Sequence, residues 1–242
     1  MLRILIFIYQ WLIFCPVFII ITIITALTTS VGSFLFGNRF WGFYPARLWS
    51  KLTCYFAFCP VKVSGRENIV KGNSYVFVAN HQGSFDIFLI YGFLNHNFRW
   101  IMKQELRKVP LVGAPCAAAG HIFVDRSNTK SIKTSLEKAR KQLSGGLSVV
   151  VFPEGSRTKT GKMGRFKKGA FQLAMDLQLP IVPVTIEGPF DIMPSGSYTI
   201  HPTPLRLTIH PPVETSEITP DNLPQLMDKV SETISSGLKS RE

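Results

Sequence analysis

Charge is missing from the start of this chain. No charged residue occurs from Ile4 to Asn38, a stretch of 35 positions, and Arg3 is the only charge before Arg39. The run is too long for the apolar core of a secretory signal, and no small-x-small cleavage site with polar flanks follows it. Acidic residues are scarce elsewhere: residues 39–242 carry 26 Lys+Arg against 15 Asp+Glu, a balance of +11. That excess suits an anionic partner, whether a membrane surface, a phosphorylated substrate or nucleic acid. Nucleic acid fits least, because the basic residues form no run interleaved with exposed aromatics and no nucleic-acid motif is present. Cysteine is sparse too. Cys15, Cys54, Cys59 and Cys116 make no Cys-x-x-Cys pair, and no histidine stands at finger-like spacing. This excludes a zinc finger and a disulfide scaffold and points to free buried thiols in a reducing compartment, although Cys54 and Cys59 are close enough in sequence to bond. There is no Gly-x-Ser-x-Gly elbow, no internal repeat and no low-complexity tract.

The uncharged run itself reads as helix. Residues 4–27 would extend about 36 Å, enough to cross a bilayer with tilt, with Pro16 as a candidate kink. A second apolar segment, Leu52 to Phe58, follows a belt that holds Trp41, Tyr44 and Trp49 among Arg39, Arg47 and Lys51. Aromatic and basic residues mixed in this way sit at lipid headgroup level. Two placements stay open: a single span with its basic flank on the cytoplasmic side, or a two-helix hairpin dipping into one leaflet. The hairpin is preferred, since no second clear span exists. The expected division is a membrane-anchoring segment, 1–58, and an α/β domain, 59–242.

Seven strand-like runs lie beyond that segment: Val61–Val63, Tyr75–Ala79, Arg99–Met102, Ile122–Val124, Leu147–Phe152, Ile181–Ile186 and Leu205–Ile209. Helical patterns over 130–143 and 168–177 alternate with them, and a polar helix is expected from about Pro220 to Leu238. Strands alternating with helices predict an α/β fold with a mixed, largely parallel sheet covered on both sides.

One segment carries acid–base chemistry. Asn80-His81-Gln82-Gly83-Ser84-Phe85-Asp86 joins the apolar run Tyr75–Ala79 to the apolar helix that starts near Ile87. Strand exits are where α/β folds place their chemistry. On an ideal helix, five positions turn through about 500°, so His81 and Asp86 would point apart. They meet if His81 lies on the strand exit and Asp86 in the first helical turn, with Gly83 at the bend and Ser84 as N-cap. The pair would then be a general base and the carboxylate that orients it.

Three further strand ends finish on a cation: Lys103 after Trp100-Ile101-Met102, Arg126 after Ile122–Asp125, and Arg157 in Phe152-Pro153-Glu154-Gly155-Ser156-Arg157. If these ends lie side by side, the cations converge into an anion clamp, with Arg suited to bidentate grip on phosphate. Glu154 would orient an arginine or a substrate hydroxyl, and Gly155 would bring a backbone N–H close to the ligand. Arg165, Lys167 and Lys168 extend the basic patch as approach charges.

Asn80-His81 with Asp86, Gly120 through Arg126, Phe152 through Arg157, and Ile181-Val182-Pro183-Val184 resemble, in order and spacing, the four blocks of the glycerolipid acyltransferases. More specifically they resemble those of the bacterial 1-acyl-glycerol-3-phosphate acyltransferases, and the resemblance covers roughly residues 60–215. It implies acyl transfer from acyl-CoA or acyl-carrier protein to the sn-2 hydroxyl of lysophosphatidic acid, at the cytoplasmic face of a bacterial inner membrane, with no cofactor or metal. It also implies that His81 is the base and Asp86 its partner. Glu154, Gly155 and Arg157 would belong to the acceptor site, with Arg126 and Lys103 helping to hold phosphate. Ser156 stands where that family often has Thr. His121 is an unusual occupant of its block and reads as a strand-start histidine without a role. Three other readings remain. One is the same chemistry on a lyso-ornithine or lyso-glycine lipid. Another is a metal-dependent hydrolase using His81, Asp86 and Asp125. The last is a non-catalytic module that binds anionic lipid.

Overall fold

The structure, a computed structural model, describes residues 2–125, 137, 143, 146–193 and 198–238. The uncharged run is helical almost throughout. Helix α1 (Leu2–Tyr9) passes through one π-helical stretch, Gln10–Phe14, into α2 (Cys15–Phe36). In that stretch the Cys15 N–H reaches back five residues to the Gln10 carbonyl. The wider turn precedes Pro16, which has no N–H to donate, so the chain absorbs the proline without ending the helix. Threonines inside this apolar helix bond to their own backbone: Thr22 Oγ1 donates to the Phe18 carbonyl at 2.6 Å and Thr28 Oγ1 to that of Ile24 at 2.8 Å.

A short α3 (Asn38–Trp41) turns the chain into α4 (Tyr44–Phe56), which folds back along α2. Trp49 Nε1 donates to Thr22 Oγ1 across the hairpin at 2.9 Å. Helix α4 stops in a Schellman turn: Phe58 takes φ 53°, the Cys59 N–H reaches the Cys54 carbonyl and the Phe58 N–H that of Tyr55. The two-helix hairpin expected from the sequence is therefore present. It is not a separate appendage, since Phe14, Phe43, Cys54, Ala57 and Cys59 share one core with the sheet. The expected boundary at residue 58 falls at this turn, inside that shared core. All four cysteines are free, so the Cys54–Cys59 pairing left open by the sequence is not made.

Among the described residues seven strands form one sheet: β1 (Val61–Ser64), β2 (Val76–Ala79), β3 (Phe98–Lys103), β4 (Ile122–Val124), β5 (Ser148–Val151), β6 (Ile181–Glu187) and β7 (Leu205–Ile209). Their order is β1-β7-β6-β2-β5-β3-β4, and every pairing is parallel except β6 with β7. Alternation along β2 explains why the centre reads as an unbroken apolar run. Phe77 and Ala79 face the core shared with the foot and α5 (Phe85–Phe93), while Val76 and Val78 face the opposite layer. That second layer holds α7 (Gly169–Leu177) and α9 (Leu223–Ser236). Between β3 and β4 runs α6 (Gly113–Ala118), and α8 (Pro189–Ile192) follows β6. All seven expected strands are found. The helix expected over 130–143 lies, apart from Glu137 and Leu143, outside the described residues.

Candidate active site

The sheet order answers the condition the sequence left open. Strands β2, β5, β3 and β4 are consecutive neighbours and all parallel, so the loops after them share one end of the sheet. His81, Glu154, Gly155, Arg157 and Lys103 all leave from that end. Arg126, two positions beyond β4, lies outside the described residues.

His81 and Asp86 meet as their spacing allowed. His81 Nδ1 lies 2.6 Å from Asp86 Oδ2, with the imidazole 18% exposed and the carboxylate fully buried. The same oxygen accepts the Gln82 N–H at 2.7 Å and the Gly83 N–H at 3.0 Å. Three donors on one oxygen fix the carboxylate, and the carboxylate fixes Nδ1 as the protonated ring nitrogen, leaving Nε2 free. Burial pushes the Asp86 carboxyl up, and the His81 hydrogen bond and the two amides pull it back. Ser84 occupies the N-cap position of α5 without a capping bond. Its hydroxyl instead accepts from Arg157 Nη1 at 2.6 Å. Asp86 thus does the loop closing expected of Ser84, and Ser84 ties the β5 loop to α5.

The Glu154 assignment changes in detail. Its Oε1 accepts the His81 N–H and its Oε2 the Gly164 N–H, each at 2.7 Å, and the side chain is buried. The sequence suggested that it orients an arginine or a substrate hydroxyl; in the structure it holds two backbone segments together and sets where the His81 backbone sits. Burial pushes its carboxyl up, opposed by those same two hydrogen bonds. Gly155 takes φ 78°, a region that favours glycine, but its N–H closes the turn onto the Phe152 carbonyl at 3.1 Å instead of pointing freely at a ligand. Asn80, quoted in the motif without a role, clamps β6: its amide donates to the Ile186 carbonyl at 2.9 Å and accepts the Ile186 N–H at 2.7 Å. Nothing but its place beside the histidine marked it.

Aromatic stacking holds the imidazole plane. Phe152 lies parallel to His81 at 4.1 Å and 9°, and Trp100 stacks behind Phe152 at 5.5 Å. Phe152 was visible as part of its motif, but a stacking partner has no sequence signal of its own. Beside this column opens a mostly apolar cavity of about 390 Å³. His81, Gly155 and Lys103 line it, and so do Thr25 and Thr29 from α2 and Leu111 before α6.

His121 also lines it, and the structure gives it partners. Its Nδ1 accepts the Trp100 N–H at 3.2 Å, which leaves Nε2 to carry the ring proton toward Tyr91 Oη at 2.7 Å. Burial first, and then Arg99, push its pKa from 6.5 down to about 3, so this imidazole stays neutral. Among the described residues, no three His, Cys, Asp or Glu side chains gather in a group that would hold a metal, and His81, Asp86 and Asp125 form no such group.

This arrangement offers a carboxylate-oriented imidazole beside an apolar cavity that Lys103 and the apolar helix α2 also line, with Arg157 held on Ser84 of the histidine loop. The sequence model of the Acyltransferase family matches residues 60–187, which covers β1 through β6 and the loops that carry His81, Asp86, Lys103 and Glu154 to Arg157. The chain is 34% identical over 174 residues to the chloroplastic 1-acyl-sn-glycerol-3-phosphate acyltransferase LPAT1 of Arabidopsis thaliana, a match covering 71% of this chain and 48% of that protein. It is 36% identical over 171 residues to the human 1-acyl-sn-glycerol-3-phosphate acyltransferase alpha, covering 70% and 60%. The chain thus spans about half the length of the chloroplast relative. Among solved structures it is similar to the 1-acyl-sn-glycerophosphate (LPA) acyltransferase PlsC from Thermotoga maritima, with TM-score 0.79 and 29% identity over 99% of this chain and 98% of that one. With the family model matched over more than half of its length, and relatives of 34% and 36% identity over 71% and 70% of it, the chain belongs to the acyltransferase family.

Proposed function

We propose that this protein transfers a fatty acyl group from an acyl thioester to the sn-2 hydroxyl of lysophosphatidic acid, forming phosphatidic acid, with His81 as general base. The observation that carries this reading is the His81–Asp86 contact of 2.6 Å beside an apolar cavity that Lys103 also lines. An alcohol is a poor nucleophile, and a positioned imidazole removes its proton as attack proceeds. The acceptor oxygen attacks the thioester carbon while Nε2 takes the hydroxyl proton. The tetrahedral intermediate then collapses, the carbon–sulfur bond breaks, and the leaving thiolate takes the proton back. Asp86 stabilises the imidazolium that forms between these steps. Lys103, Arg126 and Arg157 hold the acceptor phosphate, Arg126 being assigned from the sequence. Glu154 and Gly155 shape the acceptor loop. The cavity takes acyl chain, which suits its apolar lining.

The same reading places the enzyme in one leaflet. Among the described residues one helical stretch, Ile4–Phe36, is long and apolar enough to cross a membrane. Yet Gln10 is bonded to the backbone of Tyr198 and Ile200 at one end, and Thr29 lines the cavity near the other. Contacts with the domain near both ends of the helix favour the hairpin dipping into the cytoplasmic leaflet of a bacterial membrane. Labelling of a cysteine introduced at position 2 in intact cells tests this; reaction with an external impermeant reagent refutes it.

The activity is tested with purified protein, acyl-CoA and acyl-carrier protein as donors, and lysophosphatidic acid and a lyso-ornithine lipid as acceptors. Transfer to lysophosphatidic acid that His81→Ala abolishes, in a protein still folded and membrane-bound, is the expected result. Preference for the lyso-aminolipid, or near-normal turnover by the variant, refutes it.

A further inference from the structure

A second pocket lies at the opposite end of the sheet. It has a volume of about 480 Å³ and is lined by residues that precede β2, β3 and β5: Gly72, Asn95 to Asn97, and Gly146. The catalytic loops follow these same strands. Strands of four to six residues therefore separate the two pockets by about 13–20 Å.

Its lining is cationic. Arg39, Arg47, Arg66 and Lys71 surround it, and none of the described residues that line it is acidic. Arg47 Nε is buried without a hydrogen-bond partner. Just outside, Lys51 feels the same excess: burial first, and then Arg47 and Arg66, push its ammonium pKa down. The first turn of α4, which has no side-chain cap, also borders the pocket through Tyr44 and Arg47 and adds the positive end of its dipole. On the floor, a Cβ on Gly146 would meet the Gly72 backbone at 2.9 Å, so two loops close together there.

The surroundings point to the occupant. Helix α4, which supplies Arg47, leaves Tyr44, Leu48 and Tyr55 exposed, and Phe58 at its end and Phe40 before it are exposed as well. This apolar stripe continues the exposed surface of α2, where Phe34, Leu35 and Phe36 are bare. An anion that enters the pocket beside such a stripe has acyl chains attached to it. Phe43, Ile69, Leu94 and Leu147 give the pocket an apolar side to match.

We propose that this pocket is a second anion site, separate from the catalytic one, that holds the phosphate of an acidic phospholipid of the surrounding leaflet and so fixes how the enzyme sits in it. Cations and unpaired guanidinium N–H groups bind phosphate through charge-assisted hydrogen bonds.

The test titrates the full-length protein, in neutral detergent, with submicellar dihexanoylphosphatidylglycerol or dihexanoylphosphatidylcholine and follows heat. The anionic lipid is expected to bind at least ~10-fold more tightly. Arg47→Gln/Lys71→Gln should weaken its binding by about tenfold or more, while turnover of lysophosphatidic acid in neutral detergent stays unchanged. The single variant Arg66→Gln, at an exposed position, serves if the double variant misfolds. Equal binding of the two lipids, unchanged binding in the variants, or loss of turnover in neutral detergent overturns the proposal. So does displacement of the lipid by inorganic phosphate or by adenosine 3′,5′-bisphosphate, which would assign the pocket to a soluble phosphate or to a donor nucleotide.

Discussion

Asp86→Asn separates the charge of the partner from its geometry. The substitution exchanges one oxygen for NH2 at nearly constant volume. In the native site Oδ2 receives His81 Nδ1, Gln82 N and Gly83 N, while Oδ1 is buried without a partner. If the asparagine carbonyl takes the Oδ2 position, all three donors keep an acceptor and the NH2 stands at the empty Oδ1 position, unpaired, at a cost of about 1–3 kcal/mol. The reverse orientation turns NH2 against three donors and is far worse, so the first orientation wins. The variant also escapes the burial penalty that pushes the native carboxyl up, which offsets part of that cost. Fold and tautomer survive, and what disappears is the negative charge beside the imidazolium that the proposed transfer forms. Unit charges about 4 Å apart at an effective dielectric of about 20 attract by about 4 kcal/mol, an upper bound on the order of 10³ in rate. The expected result is kcat lower by about 10²–10³-fold, with KM for donor and acceptor changed less than about threefold. Steady-state kinetics in neutral detergent, with a melting curve as control, reads both. A kcat within about threefold of wild type refutes the role of the charge, and a loss carried wholly by KM moves Asp86 from the chemistry to substrate binding.

Four other outcomes follow from the same geometry. Arg157→Ala should raise KM for lysophosphatidic acid with less effect on kcat, and an unchanged acceptor dependence removes Arg157 from the phosphate clamp. Glu154→Gln can serve only one of the two N–H groups the carboxylate now serves, so it should destabilise the fold by about 1–3 kcal/mol in denaturant melts; full stability would show that the loop holds without it. Gln10→Leu leaves the Tyr198 carbonyl and the Ile200 N–H unpaired and should cost about 2 kcal/mol or more and loosen α1, read as faster proteolysis before Phe14. His121, with its folded pKa lowered from 6.5 to about 3, favours the folded state above pH 6.5, and this is lost as pH falls, because only the unfolded chain takes up the proton. Between pH 6.5 and 5 the loss is about 2 kcal/mol, and His121→Gln should flatten the stability curve by that amount; identical slopes would mean that His121 titrates normally.

The parts of this molecule that were legible in the sequence are those in which one segment sets its own structure. Each expected strand appears because a run such as Val76–Ala79 must be buried on both faces, and only a covered sheet centre does that. The histidine–aspartate contact was legible because five residues with a glycine bend admit one arrangement that brings the side chains together. Roles set by a distant segment were not legible. Glu154 looks like any acid in a polar loop until the His81 and Gly164 amides are in place, separated from it by 73 and 10 positions. His121 had no visible partner because Tyr91 Oη and the Trp100 N–H come from another helix and another strand. Ser84 had a local explanation as a cap that Asp86 pre-empted, which freed its hydroxyl for Arg157.

The foot carries this point furthest. Composition divides the chain at residue 58 into a part for the membrane and a part for the chemistry. The structure joins them, because Thr22, Thr25, Ala26 and Thr29 of α2 line the cavity that His81 also lines. The threonines look out of place in an anchor, where leucine would serve as well. Thr22 and Thr28 keep their hydroxyls bonded within the helix, and Thr22 also receives Trp49. Thr29 has a buried hydroxyl with no partner. The helix face toward the domain is thus smaller and more polar than the opposite, exposed face, which carries Ile19, Ile20, Ile23, Ile24 and Leu27. A helix that only held the enzyme at the bilayer would need no such asymmetry. One that also lines the cavity beside His81 does, since small side chains leave that cavity its width.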